Sequence, residues 1–208
     1  LRSFLYRNVW KSTLGDVYDD LRSEKYTLLF IKPAEGAKAF SGTVVQGPVD
    51  DMLQMLLDTS IFPLCGPDLP VHCSEVVEMN SEYAVYVVDG EIRKICHYMC
   101  KKSSCRCAEG DTAANGALPV LLDQDVVNDV VARLQNSPEG QLLTGYRADF
   151  ALFKKPDTTE GDESPESFQT GLVEVNDGYV SGRYDDVPVK DFTDMIISRF
   201  KSLQTLVE

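Results

Sequence analysis

The sequence predicts an α+β protein organised in two lobes, and two kinds of pattern carry this prediction. Short apolar segments bounded by proline, glycine and polar residues have the character of strands, and amphipathic segments between them have the period of helices. We expect the first lobe to span residues 1–72 and the second lobe to span residues 73–208. The chain shows no internal repeat and no coiled-coil heptads.

The first lobe is predicted to contain two strands and a helix. Residues 27–33 form a buried strand that a proline closes, and residues 40–46 form a second strand. A loop of small residues, 34–39, joins the two strands. The apolar spacing after Pro48 predicts an amphipathic helix.

The second lobe contains the clearest hairpin of the chain. Residues 82–88 and 91–99 are strand patterns, and the Asp89-Gly90 pair between them suits a type I′ turn. The other predicted elements are helices at 123–134 and 189–203 and strands at 145–154 and 168–175. We expect the last helix to bury Phe192, Met195, Ile196 and Phe200. The acidic segment 157–166 is predicted to be a solvated hairpin loop.

Charge and hydropathy argue against two classes of partner. The formal net charge is −13 at pH 7, whereas a nucleic-acid backbone requires a basic protein surface. No apolar run reaches membrane-spanning length, and the N-terminal residues have no secretory pattern. We therefore expect a cytoplasmic protein that binds neither nucleic acid nor membrane.

The six cysteines do not form the pattern of a secreted disulfide framework. Four of them crowd into one segment, as Cys96, Cys100, Cys105 and Cys107. With His97 and His72 they could bind zinc, but their spacing lacks the paired Cys-x-x-Cys of common zinc sites. We therefore favour reduced thiols, and a zinc-stabilised interaction domain is the alternative.

Acidic and amide side chains stand on two strand patterns of the second lobe. Glu174 and Asn176 share one face of a strand, because alternate residues of a strand point the same way. Asp149 lies within an apolar segment, where burying an unpaired carboxylate is costly. Oxygen ligands from two strands suit a hard divalent cation such as Mg²⁺ that also holds phosphates. These residues therefore predict a metal-nucleotide site.

Four segments together resemble the ATP-grasp superfamily, and the resemblance covers about residues 27–200. They are Phe-Ile-Lys-Pro at 30–33, Lys-Ala-Phe-Ser-Gly at 38–42, Ser-Glu-Val-Val at 74–77 and Glu-Val-Asn-Asp-Gly at 174–178. The resemblance implies an ATP-grasp fold, in which two α+β lobes with antiparallel sheets sandwich a nucleotide. It also implies a ligase that phosphorylates a carboxylate to an acylphosphate, which an amine or thiol then attacks.

The resemblance also implies roles for individual residues. Lys32 and Lys38 would neutralise the nucleotide phosphates. The backbone of a hinge segment would face adenine, through Glu75, Val76, Val77 and Glu78. Glu82 would contact ribose or substrate, or would lie at a solvated edge. The ligands of Mg²⁺ would be Asp149, Glu174 and Asn176.

The chain departs from the family pattern in its basic residues. Ala84 stands where these domains tend to place an arginine, and His97 stands where a second basic residue often appears. Phosphoryl transfer needs fixed positive charge around the transferred group. Arg93, Lys94 or Arg147 could supply this charge, as could a protonated His97. The candidate catalytic residues are Lys32, Arg93 and Arg147.

We therefore predict a Mg-ATP-binding carboxylate-amine ligase whose two substrates are unidentified, with a peptide or protein end favoured by the resemblance. The alternative is a non-catalytic nucleotide-binding module that acts in assembly or interaction, which Ala84 and the acidic surface favour. Because about 26 residues precede the first predicted strand, we expect the N-terminal substrate domain common in the superfamily to be absent or cut away.

Overall fold

The computed structural model describes residues 1–34, 39–48, 50–100, 122–159, 162 and 164–205. The chain divides into two compact units. One is Arg7–Val77, which we call the Lys32 unit, and the other is Leu1–Tyr6 with Glu78–Glu208, which we call the Asp149 unit. The lobe boundary predicted after residue 72 falls inside a strand, Pro70–Ser74, that belongs to the Lys32 unit.

As far as it is described, the Lys32 unit is a four-stranded antiparallel sheet with two helices. The strands are β1 Val9–Thr13, β2 Leu28–Pro33, β3 Thr43–Gln46 and β4 Pro70–Ser74, in the order β1-β4-β2-β3. The helices are α1 Leu14–Arg22 and α2 Asp51–Leu57. The sequence did not predict β1, α1 or β4, and the strand predicted from residue 40 begins only at Thr43.

Side-chain caps start both helices of the Lys32 unit. Thr13 accepts a hydrogen bond from the backbone N–H of Asp16, and Asp50 accepts one from that of Leu53. The buried faces of α1 and α2 pack on one face of the sheet, through Leu14, Val17, Leu21, Leu53 and Leu56 against Leu29, Ile31, Val45, Val71 and Cys73. The opposite face of this sheet, which carries Lys32, takes no part in that core.

Within the described residues, the Asp149 unit is a second four-stranded antiparallel sheet with three helices. Its strands, in the order β6-β5-β7-β8, are β5 Met79–Val88, β6 Glu91–Cys100, β7 Gly145–Lys154 and β8 Phe168–Asp177. Its helices are α3 Gln124–Gln135, α4 Pro138–Gln141 and α5 Val189–Gln204. Short 3₁₀ turns lie at Arg2–Phe4 and Pro165–Ser167. Among the helices described, none is both long and apolar enough to cross a membrane.

The predicted hairpins of the Asp149 unit are confirmed. Asp89 and Gly90 have φ values of 51° and 79°, and a type I′ turn requires positive φ at both positions. Strands β7 and β8 pair antiparallel, so the acidic segment 157–166 is their connection. The prediction that Phe200 is buried is wrong: its side chain is 49% exposed and packs on Tyr179, with ring centroids 5.0 Å apart.

The central strand β7 contacts a core on each of its faces. Tyr146, Ala148 and Phe150 point to one face and pack with α3. The alternate residues Gly145, Arg147 and Asp149 point to the other face, where α5 crosses the Gly145 end. Helix α5 therefore covers part of this face, and the functional side chains of β7 stand further along it.

Gly145 sets how closely α5 approaches the sheet. A Cβ at this position would lie 2.0 Å from the backbone oxygen of Met195. We expect Gly145→Ala to lower the free energy of unfolding by about 3 kcal/mol, because the helix backbone has to move. Urea denaturation measures this change. The control is Gly182→Ala, where a Cβ has no heavy atom within 4 Å; equal stability of the two variants would contradict the packing described.

Candidate functional site

The register of β7 and β8 brings the three predicted metal ligands together. Asp149 lies opposite Glu174, and Arg147 lies opposite Asn176. Asn176 Nδ2 donates to Asp149 Oδ2 and to Glu174 Oε1, both at 2.9 Å. The amide NH₂ group carries partial positive charge, so it reduces the repulsion between the two carboxylates. We call Arg147, Asp149, Glu174 and Asn176 the carboxylate cluster.

Asp149 is the most buried member of the cluster, with 2% of its surface exposed. Its Oδ2 accepts hydrogen bonds from Arg147 and Asn176, whereas its Oδ1 has no partner among the residues described. Burial raises the pKa of Asp149 to about 6; the Arg147 bond opposes this rise, and the charges of Glu174 and Glu82 add to it. A buried carboxylate oxygen without a donor is a group that a cation would satisfy.

The donor set of the cluster fits a hard divalent cation. Carboxylate and amide oxygens are the side-chain ligands that Mg²⁺ and Ca²⁺ take. Among the residues described, no three side chains of the types His, Cys, Asp and Glu lie together in a way that could hold a metal ion. The fit therefore depends on Asn176 as well as on the carboxylates of Asp149 and Glu174.

Arg147 adds an unsatisfied donor to the same cluster. Its Nη2 lies 2.8 Å from Asp149 Oδ2, and its guanidinium carbon lies 5.7 Å from the ring centroid of Tyr184. Its Nε is buried and has no hydrogen-bond acceptor among the described residues. A buried guanidinium N–H in this state can donate to an anionic ligand. The cluster thus presents a donor that an anion would satisfy beside an acceptor that a cation would satisfy.

Glu82 lies next to the cluster on a central strand. Strand β5 pairs with β6 on one side and with β7 on the other, which rules out the alternative that Glu82 stands at an edge. Tyr98 donates its hydroxyl hydrogen to Glu82 Oε2 at 2.7 Å. The ring of Tyr98 also stacks on Tyr184, with centroids 4.9 Å apart. These contacts fix the position of the Glu82 carboxylate.

Strand irregularities surround the cluster. In β8, Val173 has no partner in β7, because Phe150 pairs with Leu172 and Asp149 pairs with Glu174. In β6, Tyr98 is an extra residue of the same kind, next to the Met99 that pairs with Glu82. A bulge of this kind turns the side chains beyond it to the other face. It places Leu172 in the core with Phe150 while Glu174, only two residues later, faces Asp149.

Tyr86 holds the connection between β8 and α5 over the face of the sheet that carries the carboxylate cluster. Its hydroxyl donates to the backbone oxygen of Gly182 at 2.7 Å and accepts from the backbone N–H of Tyr184 at 3.3 Å. Tyr184 then reaches both Tyr98 and Arg147. None of Tyr86, Tyr98 and Tyr184 was predicted from the sequence. Tyr86 could have been found from its period-two spacing with Glu82, but no local pattern indicates Tyr184.

Among the residues described, the other basic candidates make contacts outside the carboxylate cluster. Arg93 pairs with Glu91 at 3.0 Å and lines a cavity of about 510 Å³ near the hairpin turn. Lys94 pairs with Asp186 at 3.4 Å. His97 packs on Tyr83, with ring centroids 4.8 Å apart, on the face opposite Asp149. Burial lowers the pKa of His97, which keeps the ring neutral. The alternative that a protonated His97 supplies the missing charge is therefore not supported by this geometry.

The cysteine cluster is described only in part. Cys96 is buried, and its Sγ lies 2.5 Å from Asp186 Oδ1. Burial, followed by the contact with Asp186, raises the pKa of Cys96 to about 12, so the thiol stays protonated at neutral pH. Cys105 and Cys107 lie outside the described residues. In the described part, Cys96 is therefore a buried thiol that contacts a carboxylate.

The remaining predicted site residues stand mainly in the Lys32 unit. Lys32 is on β2, opposite His72 of β4. Glu75 follows β4, and its carboxylate accepts from the backbone and side-chain nitrogens of Asn8 at 3.0 and 2.8 Å. The segment 75–78 forms no helix or strand, and it joins the Lys32 unit to the Asp149 unit after Val77. Lys38 lies outside the described residues.

Solved structures of several ligases resemble this chain in fold. D-alanyl-alanine synthetase A from Vibrio cholerae is 16% identical, with a TM-score of 0.50 over 97% of this chain and 60% of that chain. The D-alanine–D-alanine ligase from Bacillus anthracis complexed with ATP is 14% identical, with a TM-score of 0.50 over 98% and 62%. The macrocyclase MdnC from Microcystis aeruginosa, bound with precursor peptide MdnA, is 13% identical, with a TM-score of 0.50 over 92% and 55%. This chain thus spans less than two thirds of each of them.

The comparisons in sequence give a family rather than a single relative. No curated protein matches the chain. The ATP-grasp domain, R2K clade family 2, matches residues 4–195, a range that contains all the predicted site residues. This match and the similar structures confirm the resemblance and the predicted α+β ATP-grasp fold. The chain belongs to the ATP-grasp domains of R2K clade family 2.

Proposed function

We propose that this chain binds Mg-ATP and joins a carboxylate to an amine through an acylphosphate. One observation carries the proposal: Asp149 Oδ1 and Arg147 Nε are both buried without partners among the residues described. A cation satisfies the first atom and an anionic oxygen satisfies the second, and a metal-bound phosphate brings both. Membership of an ATP-grasp family supports ATP as the nucleotide.

The carboxylate cluster is the proposed metal site. Asp149, Glu174 and Asn176 would hold Mg²⁺ through side-chain oxygens. The bound ion would neutralise phosphate charge during transfer of the phosphoryl group. The protein's own contribution is to hold two carboxylates against each other on paired strands, although burial and, to a smaller extent, the charge of Glu174 raise the pKa of Asp149.

Arg147 is the catalytic arginine that we propose. A carboxylate oxygen attacks the γ-phosphorus of ATP and ADP leaves; the amine nitrogen then attacks the acyl carbon, loses its proton, and phosphate leaves. Both steps place negative charge on oxygen atoms. The contacts with Asp149 and Tyr184 fix the guanidinium in advance, so its Nε–H can stabilise that charge without rearrangement. Arg93, the other arginine predicted to be catalytic, pairs with Glu91 near the hairpin turn.

The nucleotide contacts follow the family roles. Lys32 and Lys38 would neutralise the phosphates, and the backbone of Glu75–Glu78 would contact adenine. Glu82, which Tyr98 holds in place, would accept a hydrogen bond from ribose or from the amine substrate. A cytoplasmic location, where ATP is available, is part of this proposal.

A peptide or protein end is the substrate class that we favour. The macrocyclase MdnC, which has this fold, has been solved with its precursor peptide. The identity between the two chains is 13%, so this similarity supports the substrate class and not a particular peptide. The amine and the carboxylate are therefore to be found by testing a panel of amino acids and peptides.

One observation favours a second candidate, a nucleotide-binding module without catalysis. Ala84 is buried and lies in register with both Asp149 and Cys96. An alanine at this position adds no charge to the cluster, and phosphoryl transfer depends on fixed positive charge. Such a module would bind nucleotide as strongly as an enzyme but would not turn it over.

Turnover separates the two candidates. We expect release of ADP and phosphate to rise when one member of the panel is added. We expect Arg147→Lys to lower this turnover at least about tenfold and to weaken Mg-ATP affinity by a smaller factor, because lysine keeps the charge but lacks the Nε–H donor. The control is Arg133→Lys on α3, which pairs with Asp129 on the surface. Tight ATP binding with no stimulated turnover by any substrate would favour the binding module.

The pKa of Asp149 predicts how metal binding depends on pH. Burial raises this pKa to about 6 from its usual 3.8, so protons compete with a cation below about pH 6. We expect the Mg²⁺-dependent part of ATP affinity to fall about tenfold per pH unit below that point and to level off above about pH 7. Calorimetric titration from about pH 5 to about pH 8 measures it, with Asp149→Asn as the variant that loses the dependence. A flat profile in the unmodified protein would contradict the assignment.

A further inference from the structure

Three basic side chains form a row across the sheet of the Lys32 unit. Lys11 of β1 lies opposite His72 of β4, and His72 lies opposite Lys32 of β2. Directly opposed residues on adjacent strands point to the same face, with Cβ atoms about 5 Å apart. Lys11, His72 and Lys32 therefore stand side by side, and we call them the basic row.

The basic row lies on the face of the sheet that the helices of its own unit leave uncovered. Val71 and Cys73 flank His72 in the chain and point the other way, into the core with α1 and α2. Their exposures are 0% and 1%, whereas Lys11 is exposed and Lys32 and His72 are half-buried. Alternation along β4 thus presents His72 away from this core.

The rows that adjoin the basic row contain no acidic side chain among the residues described. On one side are Val9, Ser74, Phe30 and Val44, and on the other are Thr13 and Pro70. Like charges directly opposite each other destabilise a sheet. Acidic residues outnumber lysine and arginine by 33 to 20 in this chain, so acidic side chains were available for these positions. Such a row is expected where the bound partner is itself an anion.

The electrostatics of His72 agree with this reading. Burial lowers the pKa of His72, and the charges of Lys32 and Lys11 lower it further. These lysines come from β2 and β1, the two strands that pair with β4. An anion held against the row would offset the repulsion and would favour the protonated ring, which then donates from both nitrogens.

We propose that the basic row binds the polyphosphate chain of the nucleotide, so that Lys11 and His72 contact phosphate beside Lys32. This inference rests on the proposed function and extends its phosphate site from a single strand to three strands. With strands about 4.8 Å apart, β1 and β2 stand about 10 Å from each other across β4. The row is therefore long enough to contact more than one phosphate group.

The two histidines of the chain make the proposal testable by NMR. The pKa of each imidazole is followed with and without inorganic triphosphate, in the absence of metal and nucleoside. We expect the pKa of His72 to rise by about one pH unit, because a phosphate anion would lie within a few ångströms of the ring. His97, which packs on Tyr83 in the other unit, is the internal control and should not change.

A pair of matched variants tests the lysine at the end of the row. We expect Lys11→Gln to lower the affinity for inorganic triphosphate by about fivefold, as for an exposed ionic contact. The control is Lys25→Gln, which removes the same charge from the same unit. Lys25 follows α1 and pairs with Asp20 of that helix. Equal affinity of the two variants would overturn the role of Lys11.

The outcomes separate this inference from the proposed function. If ATP binds but neither ATP nor inorganic triphosphate moves the pKa of His72, the basic row is not the phosphate site and the proposed function stands. If inorganic triphosphate raises the pKa of His72 while ATP shows no metal-dependent binding, the row is supported and the proposed function fails. If inorganic triphosphate leaves His72 unchanged in every case, the inference is overturned.

Discussion

The ion pair between Arg147 and Asp149 is the interaction on which the rest of the site depends. Burying Asp149 at 2% exposure would be costly without the bond from Arg147 at 2.8 Å and the bond from Asn176 at 2.9 Å. Desolvation still outweighs these partners, since the pKa of Asp149 remains raised. The pair is thus only partly satisfied, and its two unpartnered atoms have the chemistry of a site for a cation beside an anion.

The geometry of that pair depends on a sheet that packs against the core with one face and carries the site on the other. Strand β7 packs Tyr146, Ala148 and Phe150 into the core and presents Arg147 and Asp149 on its other face. One bulged residue on each edge strand, Val173 on β8 and Tyr98 on β6, lets these strands do the same without losing their core contacts. Tyr184 then joins the Tyr98 side of the sheet to Arg147. Core packing and site geometry are therefore coupled through a few side chains.

Local patterns predicted the parts of this arrangement that are local. The hairpin followed from Asp89-Gly90, and the grouping of Glu174 with Asn176 followed from the period of a strand. Strand β1 was missed because its side chains are mostly half-buried and show no clean alternation, although the Thr13 cap three residues before Asp16 marks the start of α1. The stack of Tyr98 on Tyr184 arises from a bulge and a long-range contact, which no short segment encodes.

The location of the metal is the most direct test of the site. Crystals grown with Mn²⁺ and a non-hydrolysable ATP analogue would locate the ion by its anomalous scattering. We expect a peak about 2.2 Å from side-chain oxygens of Asp149, Glu174 and Asn176, and its loss in Asn176→Ala crystals. A bound nucleotide with the ion elsewhere, and with Asn176 Nδ2 still donating to both carboxylates, would contradict the assignment of this cluster as the metal site.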